Sequence, residues 1–201
     1  MDLQQKLQNN NNTNLNLKLM KWRMLPNLNI NLLSSTKCLL IGAGTLGCSV
    51  ARSLISWGIQ HITFIDNGKV SSSNPIRQTL YVHKDIGNFK STTAANKLKD
   101  INPNITSKGY TFCIPMPGHI ITNKDETLNN IDLLNKLIIK HDIIFILTDT
   151  RESRWLPILL SKINNKITIN VALGFDTFLI IRNDNHNKLG CYFCNDVIAP
   201  R

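Results

Sequence analysis

The stretch Lys37–Asp66 reads KCLLIGAGTLGCSVARSLISWGIQHITFID and decides the fold. Its first five residues form a short apolar run, long enough for a buried strand and too short for a helix. The run leads into a glycine-rich loop at 42–47 with the pattern GxGxxG. Apolar residues then recur at helical spacing and predict a helix over 45–56, and a second run at 61–65 predicts a strand. The stretch therefore predicts a strand, loop, helix and strand, closed by an aspartate.

A glycine loop in this setting is typical of nucleotide-binding proteins. Glycines lack a Cβ, so phosphate oxygens can approach backbone N–H groups at the start of a helix, where the helix dipole favours an anion. The candidate residues are Gly42, Gly44 and Gly47, while the carboxylate of Asp66 can accept hydrogen bonds from ribose hydroxyls. The alternative is a tight, close-packed turn without a ligand. The unit indicates a nucleotide without specifying which one, or the chemistry performed on it.

Composition limits the class of protein. The chain has 201 residues, enough for one α/β domain, and a formal net charge of +10 from 23 basic and 13 acidic residues. This charge suits an anionic partner such as ATP or an acidic protein surface. The basic residues are scattered and lack interleaved aromatic residues, so nucleic-acid binding has no support.

The sequence also predicts a cellular compartment. It contains no apolar stretch of the length needed to span a bilayer and no signal-peptide pattern at its start. Its five cysteines, an odd number that includes one CxxC, argue against a secreted disulfide framework. The expected location is therefore the reducing cytoplasm.

Strands and helices alternate along most of the chain. Residues 1–16 are rich in Asn, Gln and Leu, a low-complexity composition that predicts disorder, so the predicted domain covers 17–201. The apolar run Ile143–Leu147 predicts a central parallel strand buried on both faces. Strands at 167–171 and 177–181 predict a hairpin-like end. The predicted fold class is α/β, with a Rossmann-like, doubly wound, mostly parallel sheet, helices on both faces and more antiparallel last strands.

Three local expectations concern the second half of the domain and its cysteines. A third strand is predicted over Thr106–Ile114. A helix is predicted over Glu152–Ile163, in which Pro157 would be tolerated only near the first turn. The remaining prediction is that burial explains three cysteines on predicted strands and a helix, namely Cys38, Cys48 and Cys113.

Polar candidates collect at the sheet edge that carries the glycine loop. A long aperiodic loop after the second strand places Asn74, Arg77 and Gln78 there, and loops of this length in compact domains usually have a function. Lys90 lies near the start of the next helix, an unfavourable position for a cation unless it meets an anion; otherwise it is a solvated surface lysine. Asp149 follows the central strand, where ligands bind in open parallel sheets.

The CxxC motif at Cys191 and Cys194 is typical of half of a four-cysteine zinc site, because it would supply two thiolates on one tight turn. No second pair is present in the sequence. Free thiols and a redox pair are the alternatives, and a redox pair needs a helix N-terminus in a thioredoxin-like setting.

These motifs, in this order, resemble those of ubiquitin-like-modifier activating enzymes, and sulfur-carrier adenylyltransferases share the order. Longer stretches resemble the branch of that family that acts in autophagy, and the resemblance covers about residues 17–201. The motifs are the GxGxxG loop, Asp66, NPIRQ at 74–78, DIGNFK at 85–90, Asp149 and the CxxC; the longer stretches are LMKWRML at 19–25, IPMPGH at 114–119, TDTRESRWLP at 148–157 and GCYFCNDVIAP at 190–200.

The resemblance implies ATP-dependent adenylation of the C-terminal glycine of a ubiquitin-like modifier, the first step of its conjugation to a lipid or protein. By the same resemblance, Arg77 and Lys90 would contact phosphates and Asp149 would hold Mg²⁺. The residues implied to place the nucleotide are Asp66 at the ribose, Asn74, Gln78 and the three loop glycines.

The resemblance also implies parts that this sequence does not contain. The family's thioester cysteine lies downstream of the CxxC and matches none of the five cysteines, and the zinc site's second pair is expected beyond Arg201. The chain is therefore expected to be an adenylation domain truncated at its C-terminus, which alone would at most bind ATP. The implied partners are ubiquitin-like modifiers, conjugating enzymes of autophagy and a second copy of this chain. In such a homodimer, Arg23 or Lys21 of one subunit would reach the phosphates bound by the other.

Three alternatives stay open. An NAD-dependent dehydrogenase would also use Asp66, but it leaves Arg77, Lys90 and Asp149 unexplained. A catalytically inactive modifier-binding subunit would be expected to lack one of those three residues. A sulfur-carrier adenylyltransferase would share the chemistry, and the autophagy-type stretches argue against it.

Overall fold

The computed structural model describes residues 15–183 and 189–196. Its centre is one six-stranded sheet with the order β3-β2-β1-β4-β5-β6, in which the first five strands are parallel and β6 is antiparallel to β5. This arrangement confirms the predicted fold class. The strands are β1 Lys37–Ile41, β2 His61–Ile65, β3 Thr106–Tyr110, β4 Ile143–Ile146, β5 Ile167–Leu173 and β6 Phe178–Asn183. The disorder predicted for 1–16 falls almost wholly outside the described residues.

Helices connect the parallel strands. The first helix covers residues 15–23 of the described chain, and Asn29 and Asn123 cap the starts of two later helices by accepting backbone N–H bonds. The helices are α1 (15–23), α2 Ile30–Ser35, α3 Thr45–Ser56, α4 Lys90–Ile101, α5 Lys124–Lys140, α6 Glu152–Ile163 and α7 Tyr192–Asp196.

Two apolar cores lie on opposite faces of the sheet because side chains alternate along a strand. In β1, Leu40 belongs to the core that α3 and α4 cover, through residues such as Ala51 and Leu98. Its neighbour Leu39 belongs to the core that α5 and α6 cover. Both leucines are fully buried, so β1 is a central strand, as its continuous apolar run indicates.

Three local predictions were wrong. The strand β3 ends at Tyr110 instead of Ile114, because the chain beyond it leaves the sheet and runs along a cavity. Cys113 therefore is exposed, whereas Cys38 and Cys48 are buried as predicted. The helix predicted over Glu152–Ile163 is confirmed as α6, but Pro157 is its sixth residue, beyond the first turn, so the helix continues although one backbone donor is missing.

His141 ties the end of α5 to the sheet and gives the fold a pH dependence. Its side chain is buried, with Nδ1 2.6 Å from the carbonyl oxygen of Leu137 and Nε2 2.8 Å from Oγ1 of Thr63. A carbonyl oxygen only accepts, so Nδ1 carries the proton and the neutral Nε2 accepts from the threonine hydroxyl. Burial lowers the pKa of His141 below its ordinary value of 6.5, while the Leu137 carbonyl and Asp142 oppose the shift.

We therefore expect the free energy of unfolding to fall as the pH drops below 6.5, because the unfolded chain takes up a proton that the folded imidazole resists. The loss approaches about 1.4 kcal/mol per pH unit for one such group. Urea unfolding at several pH values would measure it. The variant His141→Gln should flatten this dependence, whereas the exposed-site control His119→Gln should keep it; equal slopes in both variants would contradict the assignment.

Candidate active site

A cavity of about 580 Å³ opens at the carboxyl ends of the parallel strands. The loops that follow β1, β2, β3 and β4 and the end of β5 all contribute to its lining. Ligands of open α/β sheets bind at this edge, where the strand order reverses. The sequence-predicted residues that line it are Gly42, Gly44, Asp66, Arg77, Gln78, Lys90 and Asp149.

The glycine loop leaves room for a ligand at one position and none at two others. Gly42 has a φ of +112°, and an added Cβ there would lie 2.9 Å from the carbonyl oxygen of Leu147. An added Cβ on Gly47 would overlap the carbonyl oxygen of Gly42, so the start of α3 packs directly on the loop. Around Gly44 nothing lies within 4 Å of such an atom. Gly44 is therefore the point at which a phosphate can approach the backbone at the start of α3.

Asp66 joins two loops of the cavity. Its Oδ2 accepts a hydrogen bond of 2.7 Å from the backbone N–H of Ala43, and its Oδ1 accepts one of 2.7 Å from Gly68. Each carboxylate oxygen can accept more than one bond, so the side chain can still receive ribose hydroxyls. The predicted ribose role thus stays a prediction, and the observed role is to hold the glycine loop against the end of β2.

Tyr81 holds the same loop from behind, a role that the sequence pattern did not reveal. Its hydroxyl donates to the carbonyl oxygen of Ala43 over 2.7 Å and lies 3.2 Å from the carbonyl oxygen of Lys90. Burial raises the pKa of Tyr81 above its ordinary value, so the hydroxyl keeps its proton. Tyr81 therefore connects the glycine loop with the first residue of α4.

Two cations lie beside the glycine loop. Arg77 is exposed and donates a 2.7 Å bond to Oγ1 of Thr45 in the first turn of α3. Lys90 is the first residue of α4 and half-buried. Within the described residues, neither cation lies within 4 Å of a carboxylate; the ion pair observed among them joins Lys97 to Asp85 instead. Both charges are thus available to an anion in the cavity.

The two predicted amides differ in their surroundings. Gln78 is 2% exposed and lines the cavity, and its buried Oε1 has no hydrogen-bond partner among the described residues. Such an atom is costly unless a ligand or water supplies a donor. Asn74 is also buried, but its side-chain oxygen accepts from the backbone N–H of Ser71 over 2.9 Å and it does not line the cavity. The structure therefore brings Gln78 to the site and gives Asn74 a turn-forming role.

Asp149 follows β4 on the other side of the glycine loop. Its carboxylate is exposed and lines the cavity beside Thr148 and Thr150. Carboxylate and phosphate oxygens are the donors that Mg²⁺ prefers, and the ion usually binds through one or two carboxylates and substrate phosphates. The donors present at this edge therefore fit a magnesium ion brought in with a nucleotide.

The lining also includes residues that the sequence did not single out. Phe112, Cys113 and Ile114 reach it because the chain leaves the sheet after β3. Arg154, in the first turns of α6, is 3% exposed and lies at the β4–β5 side. Arg154 lies in the stretch TDTRESRWLP at 148–157, but the pattern predicts no site role for it, because a basic residue within an amphipathic helix normally indicates a solvated face.

The CxxC pair lies at α7, outside the cavity lining. The Sγ atoms of Cys191 and Cys194 are 3.7 Å apart. Burial raises the pKa of Cys191, but hydrogen bonds from the backbone and thiol of Cys194 outweigh it and leave the pKa below its ordinary value. Two such thiols suit half of a zinc site. Across residues 15–183 and 189–196, no group of three or more candidate metal ligands occurs.

The two basic residues proposed to reach a partner's phosphates lie elsewhere. Arg23 is exposed at the end of α1, and Lys21 lines a separate cavity of about 350 Å³ together with Lys18 and Asn29. Neither belongs to the lining of the main cavity.

Comparison with known proteins identifies the family from the sequence. Residues 15–201 match the ThiF family. The chain belongs to this family. Relatives about half identical to this chain carry the name ubiquitin-like modifier-activating enzyme ATG7. The protein from Saccharomyces cerevisiae strain S288c is 55% identical over 191 residues, and the one from Dictyostelium discoideum is 49% identical over 210 residues. Each match covers 92% of this chain, which spans about 30% of the relatives' length.

Solved structures of lower identity share the fold. Escherichia coli MccB superposes with a TM-score of 0.66 at 24% identity, over 85% of this chain and 44% of that one. PaaA superposes with a TM-score of 0.72 at 18% identity, over all of this chain and 60% of that one. In the described parts of this ThiF-family chain, no helix is long and apolar enough to cross a membrane.

Proposed function

We propose that this chain is the adenylation domain of a ubiquitin-like-modifier activating enzyme of autophagy, which uses ATP and Mg²⁺ to activate the modifier's C-terminal glycine. The observation that carries the proposal is the single cavity in which the glycine loop, Asp66, Arg77, Lys90 and Asp149 meet. The names of relatives about half identical to this chain support the same reaction and its place in autophagy.

The reaction needs charge dispersal more than acid–base catalysis. A C-terminal carboxylate has a pKa of about 3.5, so it is ionised at neutral pH and requires no general base. One of its oxygens attacks the α-phosphorus, the bond to the β-phosphate oxygen breaks, and pyrophosphate leaves with that bond's electron pair. Bringing two unit negative charges to 4 Å costs about 4 kcal/mol at a protein surface. The site must offset this repulsion.

Residues of this chain would offset the repulsion between the carboxylate and the phosphates. Asp66 orients the ribose, and the open face at Gly44 lets phosphate oxygens meet the N–H groups at the start of α3. Arg77 and Lys90 hold positive charge against the phosphates. Gln78 offers its unpartnered Oε1 to a donor of the nucleotide. Asp149 would hold Mg²⁺, which neutralises charge on the phosphates when bound.

The proposal includes partners and further sites that follow from the family resemblance. Ubiquitin-like modifiers are the substrates, conjugating enzymes of autophagy are the acceptors, and a second copy of the chain forms a homodimer to which Arg23 or Lys21 contributes. Cys191 and Cys194 would supply half of a structural zinc site. The thioester step uses a cysteine outside the 201 residues, and the expected compartment is the cytoplasm.

Thermal unfolding with Mg·ATP, with ATP and a chelator, with NAD and without ligand tests the proposal. A ligand at about 100 times its dissociation constant adds roughly 2.7 kcal/mol to the free energy of unfolding, which gives a clear rise in Tm. We expect the largest rise with Mg·ATP. A rise with NAD alone would favour a dehydrogenase, and no rise with any nucleotide would favour an inactive binding subunit. ATP–pyrophosphate exchange driven by a modifier then tests adenylation itself.

A further inference from the structure

Arg154 is a buried cation that the proposed mechanism does not yet use. Its side chain is 3% exposed, although a guanidinium group is normally found at the surface. Both protons of its NH1 are engaged, since this nitrogen lies 2.6 Å from Oδ1 of Asn170 and 2.8 Å from the carbonyl oxygen of Val171. Its NH2 donates to the carbonyl oxygen of Thr148. The guanidinium therefore bridges the ends of β4 and β5.

The three acceptors around Arg154 are all neutral. Within the described residues no carboxylate lies within 4 Å of the guanidinium. Burial lowers the pKa of Arg154, and Tyr192 and Asp149 partly oppose the shift. Asp149 is exposed, and with magnesium bound its charge is shared with the metal. A buried charge without a countercharge is unfavourable, even when neutral groups accept its hydrogen bonds. An anionic ligand in the adjoining cavity would supply the missing negative charge.

The strand order indicates which anion would suit the position of Arg154. Among the described residues, three cationic side chains line the cavity: Arg77, Lys90 and Arg154. The first two lie at the loops beside β1 and β2, where the glycine loop and Asp66 would hold the nucleotide. Arg154 lies beyond β4, beside Ala172 and Leu173 at the end of β5. In an in-line displacement the attacking and leaving oxygens lie on opposite sides of the phosphorus, so the two substrates need separate sides of the cavity.

We propose that Arg154 binds the C-terminal carboxylate of the polypeptide substrate and draws it to the β4–β5 side of the cavity. This assignment rests on the proposed adenylation function and adds the side from which the second substrate enters. The charge of Arg154 favours entry of the ionised carboxylate, while its bonds to Thr148 and Val171 fix the direction in which the cation faces.

The variant Asn170→Asp tests the charge without removing the arginine. Asn170 is 2% exposed, its Oδ1 already accepts from Arg154, and its Nδ2 has no partner among the described residues. An aspartate there keeps the hydrogen bond, removes the unpartnered donor and neutralises the guanidinium. The fold should be retained. The exposed-site variant Asn96→Asp introduces the same charge on α4 and serves as the control.

The measurement is the affinity for a ubiquitin-like modifier of autophagy ending in glycine, prepared with a free C-terminal carboxylate and as the C-terminal amide. Calorimetry is done with the whole chain in the presence of Mg²⁺ and a non-hydrolysable ATP analogue. We expect the wild type and Asn96→Asp to bind the carboxylate form about tenfold or more tighter than the amide. Asn170→Asp should lose this preference, while its affinity for the ATP analogue stays within about twofold.

Arg154→Lys provides a second variant in case a lowered Tm shows that Asn170→Asp unfolds. The lysine keeps the positive charge but loses the forked hydrogen bonds, so it should weaken the preference for the carboxylate form over the amide. A preference that survives in Asn170→Asp overturns the proposal, and so does a parallel loss of affinity for the ATP analogue. A wild type that binds both modifier forms equally, or neither, also overturns it. Failure of the proposed function is distinguishable, because the wild type would then not bind the ATP analogue.

Discussion

Replacing Gly47 by alanine is expected to lower the free energy of unfolding by about 3 kcal/mol and to abolish nucleotide binding. The added Cβ would overlap the carbonyl oxygen of Gly42, which is backbone and cannot rotate away as a side chain could. The start of α3 would have to move from the end of β1, and this movement would also displace the loop that faces the ligand. Urea unfolding and calorimetric titration with Mg·ATP would measure the two effects.

The matched control is Gly44→Ala, three residues earlier in the same loop. Nothing lies within 4 Å of a Cβ at this position, so the stability should change by less than about 0.5 kcal/mol. Its methyl group would nevertheless occupy the space where a phosphate approaches, and the affinity for ATP should fall by about tenfold or more. If Gly44→Ala binds ATP as tightly as the wild type, the loop is a packing turn and does not hold phosphates.

Replacing Asp149 by alanine is expected to slow adenylation by on the order of 10²–10³-fold while leaving the fold intact. The carboxylate is exposed at the end of β4, so its removal creates no cavity in the core. The loss arises because the proposed magnesium ligand, which acts on charge that develops in the transition state, is gone. ATP–pyrophosphate exchange measures the rate, and Tm with Mg·ATP and with metal-free ATP measures binding.

The magnesium dependence decides what Asp149 does. In the alanine variant Mg·ATP should stabilise the chain no more than metal-free ATP does. The control Asp100→Ala removes an exposed carboxylate from α4, outside the cavity lining, and should behave as the wild type. Normal exchange in Asp149→Ala, or an unchanged magnesium dependence, would exclude Asp149 as the metal ligand.

Local patterns predicted the elements near the glycine loop well because neighbouring residues determine them. The predicted strand at 61–65 and helix at 45–56 match β2 and α3. Arg77 and Asp149 are predicted at one sheet edge because parallel strands present their carboxyl ends together, and Lys90 is predicted near a helix start, where it would meet an anion. All three line the cavity. Their roles in catalysis stay predictions.

The residues whose surroundings the local sequence does not predict depend on contacts between distant parts of the chain. Tyr81 bonds to Ala43, 38 positions away, and Arg154 bonds to Asn170, 16 positions away. No local periodicity reports such pairs. The loop position and the family resemblance predict a nucleotide role for Asn74, whereas in the structure its side-chain oxygen accepts from Ser71 within a turn. The segment after β3 looked like strand because it is apolar, and only its departure from the sheet exposes Cys113.

The sequence by itself thus determined the fold class, the glycine loop and the edge of the sheet at which the cavity opens, because apolar periodicity and glycine spacing are properties of adjacent residues. The tertiary structure decided which side chains face the cavity, which support it from behind, and that a buried cation lies at its β4–β5 side. Those outcomes depend on how strands far apart in sequence pair and pack, which sets the burial and hydrogen-bond partners of each polar group.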